Sequence, residues 1–151
     1  MTEEKWPYNL PIWRRSHRVS SPDEKYVAAI EMAYEVSMGN PTSGLLNLSA
    51  GLKIENCNPS FLWSDNSRFL VIPQFFMRFG LFRKQRLLLI DVHNRIVFVA
   101  PNFTYYFQPH SFSGGRLVVT MNPTKSAEEA VWNIPEDLKQ FKRLDIQWEN
   151  A

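Results

Sequence analysis

A chain of 151 residues is long enough for one ordinary domain with a buried core, and its apolar content of 44% excludes a disordered chain. The single cysteine, Cys57, excludes an internal disulfide, and without a Cys-x-x-Cys pair or a Cys/His cluster the sequence predicts no zinc site. The net charge of +2 is uneven, because residues 66–127 carry eight Lys and Arg against one acidic residue and the two ends are acidic.

No segment predicts a membrane span or a secretion signal. The aromatic run from Phe75 to Phe82 is interrupted by Arg78 and Gly80, so it is too short and too polar to cross a bilayer. The N-terminus is acidic and is broken by Pro7 and Pro11, unlike a signal peptide. We therefore expect a cytoplasmic protein that does not associate with membranes.

The first part of the chain predicts an extended lead-in followed by a hairpin. Residues 1–20 form the lead-in, which either adds a strand to a sheet edge or packs over the sheet. From Tyr26 to Val36 apolar and polar residues alternate, as in a half-buried strand. The turn sequence Gly39-Asn40-Pro41 follows, and a second alternating stretch runs from Leu46 to Ile54. Together these two stretches predict one long hairpin.

The centre of the chain, from Pro59 to Ala100, predicts an antiparallel meander. Its apolar runs are rich in Val, Ile, Leu and Phe, have the length of strands and are bounded by polar turn residues. The predicted strands are Phe61 to Trp63, Arg68 to Pro73, Arg86 to Val92 and Arg95 to Ala100.

The last third of the chain predicts less regular structure. Pro101 to Ser113 is aromatic and irregular, and a glycine turn that needs positive φ leads into a strand from Arg116 to Met121. Ser126 and Glu129 have the spacing of a helix-capping box, which favours a short helical tail over residues 126–141. The competing interpretation is a strand from Ala130 to Ile134.

A polar turn followed by a basic residue and an apolar strand recurs along the chain. SPDEKYVA (residues 21–28) aligns with SDNSRFLV (64–71) at an offset of 43, and with FSGGRLVV (112–119) after a further 48. The first two turns resemble the Ser-Pro-Asp-Gly-Lys turn of the TolB-type, WD40-like β-propeller repeat, whose period matches one four-stranded blade. The resemblance implies blade-like sheets and a binding role. Only two to three units fit, so the blades cannot form a closed propeller. Either the tail and the lead-in then pack over the open face, or two chains associate.

The sequence therefore predicts a mainly β fold: an antiparallel meander of blade-like sheets, as an incomplete propeller or a sandwich, with about eight to ten strands and a short C-terminal helix. We expect a single β domain over residues 1–151, with a lead-in at 1–20, a β core at 21–121 and a partly helical tail at 122–151.

Basic and aromatic residues alternate between the second and third predicted strands of the central meander, from Phe75 to Arg86. One interpretation is a hairpin connection whose rings enter the core while its charges are solvated. The other is a surface for an anionic partner, because cations and aromatic faces together bind such ligands. No RNA- or DNA-binding motif accompanies the segment, which disfavours nucleic acid. The candidate partner-binding residues are Arg78, Phe79, Phe82, Arg83, Lys84 and Arg86.

No catalytic residue, cofactor or metal site is predicted. The histidines are far apart in the sequence, and Asp23 and Asp65 fit turn-forming roles better than paired catalytic carboxylates. Cys57 has no basic neighbour in sequence, which favours a buried, inert thiol.

The preferred function is a non-enzymatic, cytoplasmic module that binds a protein partner or associates with itself. The alternatives are a small immunity or inhibitor protein directed against a toxin, and an enzyme with an unrecognised site.

Overall fold

The computed structural model describes residues 2–4, 17–35, 42–78, 82–122 and 126–149. These ranges hold thirteen strands and one short 3-10 helix, Glu136–Gln140, so the expected eight to ten strands were too few. The strands are β1 (Thr2–Glu4), β2 (His17–Ser20), β3 (Val27–Glu35), β4 (Thr42–Leu48), β5 (Leu52–Cys57), β6 (Leu62–Trp63), β7 (Phe69–Arg78), β8 (Phe82–Asp91), β9 (Ile96–Thr104), β10 (Phe107–Ser113), β11 (Arg116–Met121), β12 (Glu128–Asn133) and β13 (Lys142–Leu144).

The strands form three consecutive antiparallel meanders. We call β2–β5 the first unit, β6–β9 the second unit and β10–β12 the third unit. The first two units belong to one long sheet, in which Cys57 of β5 pairs with Gln74 of β7, and the third unit is a separate sheet. β1 adds in parallel to β2, and β13 adds to β9. The predicted mainly β meander is confirmed.

The second unit lies between the other two, and this position explains its uninterrupted apolar runs. Leu70 and Ile72 of β7 pack into a core shared with the first unit. Phe69 and Val71 point the other way, into a core shared with the third unit. A strand that is buried on both faces needs apolar residues at every position rather than at alternate ones.

The first turn of each of the first two units, between β2 and β3 and between β6 and β7, has the same hydrogen bonds. In the first, the Ser21 hydroxyl accepts from Tyr26 N–H at 3.1 Å and donates to Asp23 Oδ1 at 2.7 Å. In the second, Ser64 accepts from the Phe69 N–H at 3.0 Å and donates to Asn66 Oδ1 at 2.6 Å. Asn66, and not Asp65, is therefore the counterpart of Asp23, in agreement with the offset of 43 residues.

Neighbouring units are hydrogen-bonded through these turns. The Asp23 N–H donates to Ser67 Oγ at 2.9 Å, which joins the first turn to the second. The Gly114 N–H donates to Asp65 Oδ2 at 2.9 Å, which joins the third turn to the second. Asp23 and Asp65 thus have the structural roles in turns that the sequence predicted.

The predicted strand from Leu46 to Ile54 is in fact two strands with a turn between them. β4 ends at Leu48 and β5 begins at Leu52, with Gly51 at a φ of 104° in the turn. Leu48 and Leu52 are directly paired, so their side chains lie on the same face of the sheet. The apolar alternation therefore continues through the turn and conceals it.

The segment from Pro101 to Ser113, predicted to be irregular, consists largely of strand. β9 continues to Thr104, and β10 occupies residues 107–113. The predicted glycine turn is confirmed, because Gly114 and Gly115 have φ values of 59° and 79°. β11 has the bounds that the sequence predicted.

Of the helical tail predicted over residues 126–141, only a short 3-10 helix at Glu136–Gln140 is present, and the part before it is a strand. β12 pairs with β11 from Glu128 to Asn133, close to the competing strand interpretation, and only the 3-10 helix follows. Trp132 and Ile134 enter the core at alternate positions, so tertiary packing outweighs the local capping signal. In the predicted lead-in, only β1 and β2 are described, and residues 5–16 lie outside the described ranges.

Candidate interaction surface

The hairpin of β7 and β8 extends beyond the strands on either side of it. Its pairing is continuous from Phe69↔Asp91 to Arg78↔Phe82. β5 meets β7 only at Gln74, and the pairing of β9 with β8 ends at Gln85. Residues 76–78 and 82–84, which we call the hairpin arm, therefore project by about 10 Å at roughly 3.3 Å per residue. The segment therefore belongs to a β-hairpin, as one interpretation held, but the burial predicted for its rings at Phe79 and Phe82 falls on side chains outside those described.

The predicted site residues lie on or beside this arm. Arg78, Phe82 and Arg83 belong to its strands, but their side chains are not described, and Phe79 lies outside the described residues. Lys84 is on the arm, and Arg86 follows two residues later on the same face of β8.

The two described cations lie against aromatic rings. Lys84 Nζ is 4.9 Å from the centroid of the Tyr105 ring. The guanidinium carbon of Arg86 is 5.9 Å from the centroid of the Phe76 ring, and its Nε donates to Gln74 Oε1 at 2.8 Å. Cations in this position are held in place while their charge remains on the surface.

Burial determines the state of the single thiol. Cys57 is fully buried, and burial raises its pKa even though the Arg86 charge acts in the opposite direction. Burial also lowers the pKa of Arg86 below its ordinary value. At neutral pH the thiol is protonated, as expected for an inert cysteine.

Exposed apolar side chains occur near the same end of the molecule. β3 and β7 both start at the hydrogen-bonded turns, so their hairpins run away from that end together. Met32 and Tyr34, near the far end of β3, are 73% and 54% exposed, and Tyr105 is 54% exposed. The exposure of these three side chains could not be predicted from the sequence, because it depends on strand register rather than on local pattern.

A β-bulge shapes the first-unit side of this surface. The pairing register of β3 with β4 shifts between Glu31 and Tyr34. Within this bulge Met32 has a φ of 54°, which turns its side chain outward. Gly44 lies opposite, where a Cβ would come within 2.7 Å of the Glu31 carbonyl oxygen. The result is an open depression of about 440 Å³ lined by Met32, Tyr34, Ser43, Gly44, Leu45, Glu55 and Asn56.

No set of three or more His, Cys, Asp and Glu side chains within the described ranges is arranged to hold a metal ion. Asp23 and Asp65 are engaged in separate turns, and His93 and His110 are exposed on other parts of the chain. Over the same residues, no helix has the length and apolar character needed to span a bilayer. In comparisons with protein-family models, curated proteins and solved structures, nothing matches this chain, and the TolB-type resemblance stays a prediction.

Proposed function

We propose that this chain is a non-enzymatic, cytoplasmic module that binds a protein partner, or a second copy of itself, through the end that carries the hairpin arm. The observation that carries this proposal is the pairing of surface cations with rings at the arm: Lys84 with Tyr105, and Arg86 with Phe76. Aromatic and arginine side chains dominate the binding energy of many protein interfaces, because aromatic rings bury a large apolar area and arginine combines a charge with several hydrogen-bond donors.

The charge of the segment indicates an acidic partner surface. Asp91 is the only acidic residue between positions 66 and 127, and it lies at the opposite end of β8 from the arm. A basic surface increases the rate of encounter with an acidic one and disfavours basic competitors. The exposed Met32 and Tyr34 supply apolar area beside the charges.

The repeated units support the same proposal. Face-to-face meanders that begin with the same turn are what the TolB-type resemblance implies, and propeller-like folds serve mostly as binding platforms. The free, buried Cys57 is compatible with a reducing compartment.

Reversing the charge of one arm residue tests this function. Lys84→Glu and Tyr105→Ala should each weaken the binding of a partner that co-purifies with the wild-type protein. Neither substitution should change the thermal midpoint of unfolding appreciably. Lys53→Glu is the matched control, because Lys53 is an exposed lysine on β5, away from the arm. Sedimentation velocity at increasing concentration detects self-association in the same three variants. Equal binding and equal self-association by Lys84→Glu and Lys53→Glu would remove the arm from the interface.

A further inference from the structure

The third unit has one strand fewer than the first two. Within the described residues, β12 is the last strand of its sheet, and the position that β5 and β9 occupy in their units has no strand beside it. β13 follows β12 in the chain but pairs with β9 of the second unit. The third unit therefore ends in an open sheet edge.

Backbone groups on this edge can be assigned from the pairing. The Ile134 N–H donates to the Gly115 carbonyl at 2.7 Å, so the even-numbered residues of β12 bond to β11. The N–H and C=O groups of Glu129 and Val131 point the other way, and neither residue has a backbone partner on that side among the residues described. At Asn133 the outward N–H is capped by Asp137 Oδ2 at 2.7 Å.

We propose that β12 is a docking edge for an extended, basic segment of a partner protein, which supplies the missing fourth strand of the third unit. Addition of a strand to a sheet edge obtains its affinity from main-chain hydrogen bonds and its specificity from alternate side chains. The outward N–H and C=O groups of Glu129 and Val131 provide these bonds.

The acidic character of the edge selects the partner. The acidic side chains at this edge and in the segment after it are Glu128, Glu129, Glu136 and Asp137. The β12 edge of a second copy would place like charges opposite each other, which destabilises strand pairing. Lysine or arginine opposite Glu129 pairs favourably instead.

The two faces of the sheet then fix the pattern of the incoming strand. Glu129 and Val131 lie on the outer face, and Val131 is 43% exposed. Ala130 and Trp132 lie on the inner face with the core. The docking strand therefore alternates basic residues on the outer face with apolar residues on the inner face.

Amide hydrogen exchange of the full-length free protein tests the edge itself. The amides of Glu129 and Val131 should exchange much faster than those of Ala130 and Trp132, which bond to β11 in the same strand. Equal protection of the two sets would mean that another segment already covers the edge, and would overturn the proposal.

A peptide titration followed by amide NMR shifts tests the partner. A short peptide of alternating valine and lysine should change the amide chemical shifts of Glu129 and Val131. The corresponding peptide of valine and glutamate should bind at least about tenfold more weakly. Absence of these shifts, or equal affinity for the two peptides, would contradict the proposal.

Variants at two edge positions complete the test. Val131→Pro removes an outward N–H group without removing a hydrogen bond to β11. It should therefore weaken binding of the lysine peptide by about tenfold, whereas Val131→Thr should leave binding unchanged. Glu129→Lys, a surface change that leaves the backbone intact, should reverse the preference between the two peptides. Unchanged affinity in Val131→Pro, or an unchanged preference in Glu129→Lys, would overturn the proposal.

Discussion

Replacement of Asp91 by asparagine should destabilise the protein through a buried carboxylate. The Asp91 side chain is 2% exposed and forms a salt bridge with Arg68 Nη2 at 2.9 Å. It also accepts hydrogen bonds from Arg68 Nε, from the backbone N–H groups of His93 and Asn94, and from the Asn94 amide. An asparagine side chain offers one acceptor oxygen and turns an NH₂ group toward these donors.

Asp91→Asn is expected to lower the free energy of unfolding by about 2–3 kcal/mol at neutral pH. Removing one partner of a fully buried ion pair costs about 3–5 kcal/mol, and the 33% exposure of the Arg68 side chain reduces that figure, because solvent partly compensates the guanidinium. For a chain of this size the thermal midpoint should fall by roughly 5–10 °C.

The pH dependence separates the charge of Asp91 from simple packing. Burial raises the pKa of Asp91, but hydrogen bonds from Arg68 and Asn94 outweigh that effect, and the pKa lies below its ordinary value of 3.8. A carboxyl whose pKa is lower in the folded protein than in the unfolded chain stabilises the fold at pH values above its unfolded-state pKa. This stabilisation is lost as the pH falls through the folded-state pKa.

Urea denaturation of both proteins at a series of pH values from neutral to acidic is the appropriate assay. The difference in unfolding free energy between wild type and Asp91→Asn should be constant above about pH 5 and shrink as the pH falls below about 4. Asp65→Asn is the matched control, since Asp65 is exposed and should change stability by less than about 1 kcal/mol. A difference that does not vary with pH would refute the argument.

Two further substitutions test close packing. Gly44→Ala should lower the free energy of unfolding, measured by urea denaturation, by about 1–3 kcal/mol, because the new Cβ would lie 2.7 Å from the Glu31 carbonyl oxygen. A neutral or stabilising result would show that the bulge can relax. Trp63→Phe should lower the free energy of unfolding by about 2–4 kcal/mol in the same measurement, because the indole Nε1 donates to the Val19 carbonyl at 3.1 Å and the ring is fully buried. A loss below about 1 kcal/mol would contradict this.

The sequence was most informative where one local pattern has one physical cause. The turns at Ser21 and Ser64 could be aligned because a serine and an Asx residue two positions later form the same hydrogen bonds in each. The strand from Arg116 to Met121 was predicted with its correct bounds, since a glycine turn marks its start. By contrast, the turn at Gly51 was missed, because the residues on both sides of it keep the same apolar phase.

Features that depend on distant strands could not be predicted. The hairpin arm was found from its own composition, but the Lys84–Tyr105 contact requires the register of β8 against β9. The capping-box spacing at Ser126 is local, and it was outweighed by the pairing of β12 with β11 along six residues. The open edge of β12 likewise follows only from the complete strand order.

Away from the hairpin arm, the second unit presents one apolar face to each neighbour, so both faces of its described strands are covered there. A chain shortened from either end would expose a row of aliphatic side chains, Leu88 and Ile90 toward the missing first unit or Leu87 and Leu89 toward the missing third. Exposed rows of this kind promote aggregation rather than a smaller stable protein. Loss of either outer layer should therefore lead to insoluble material, and natural variation in length should be confined to the connections between strands.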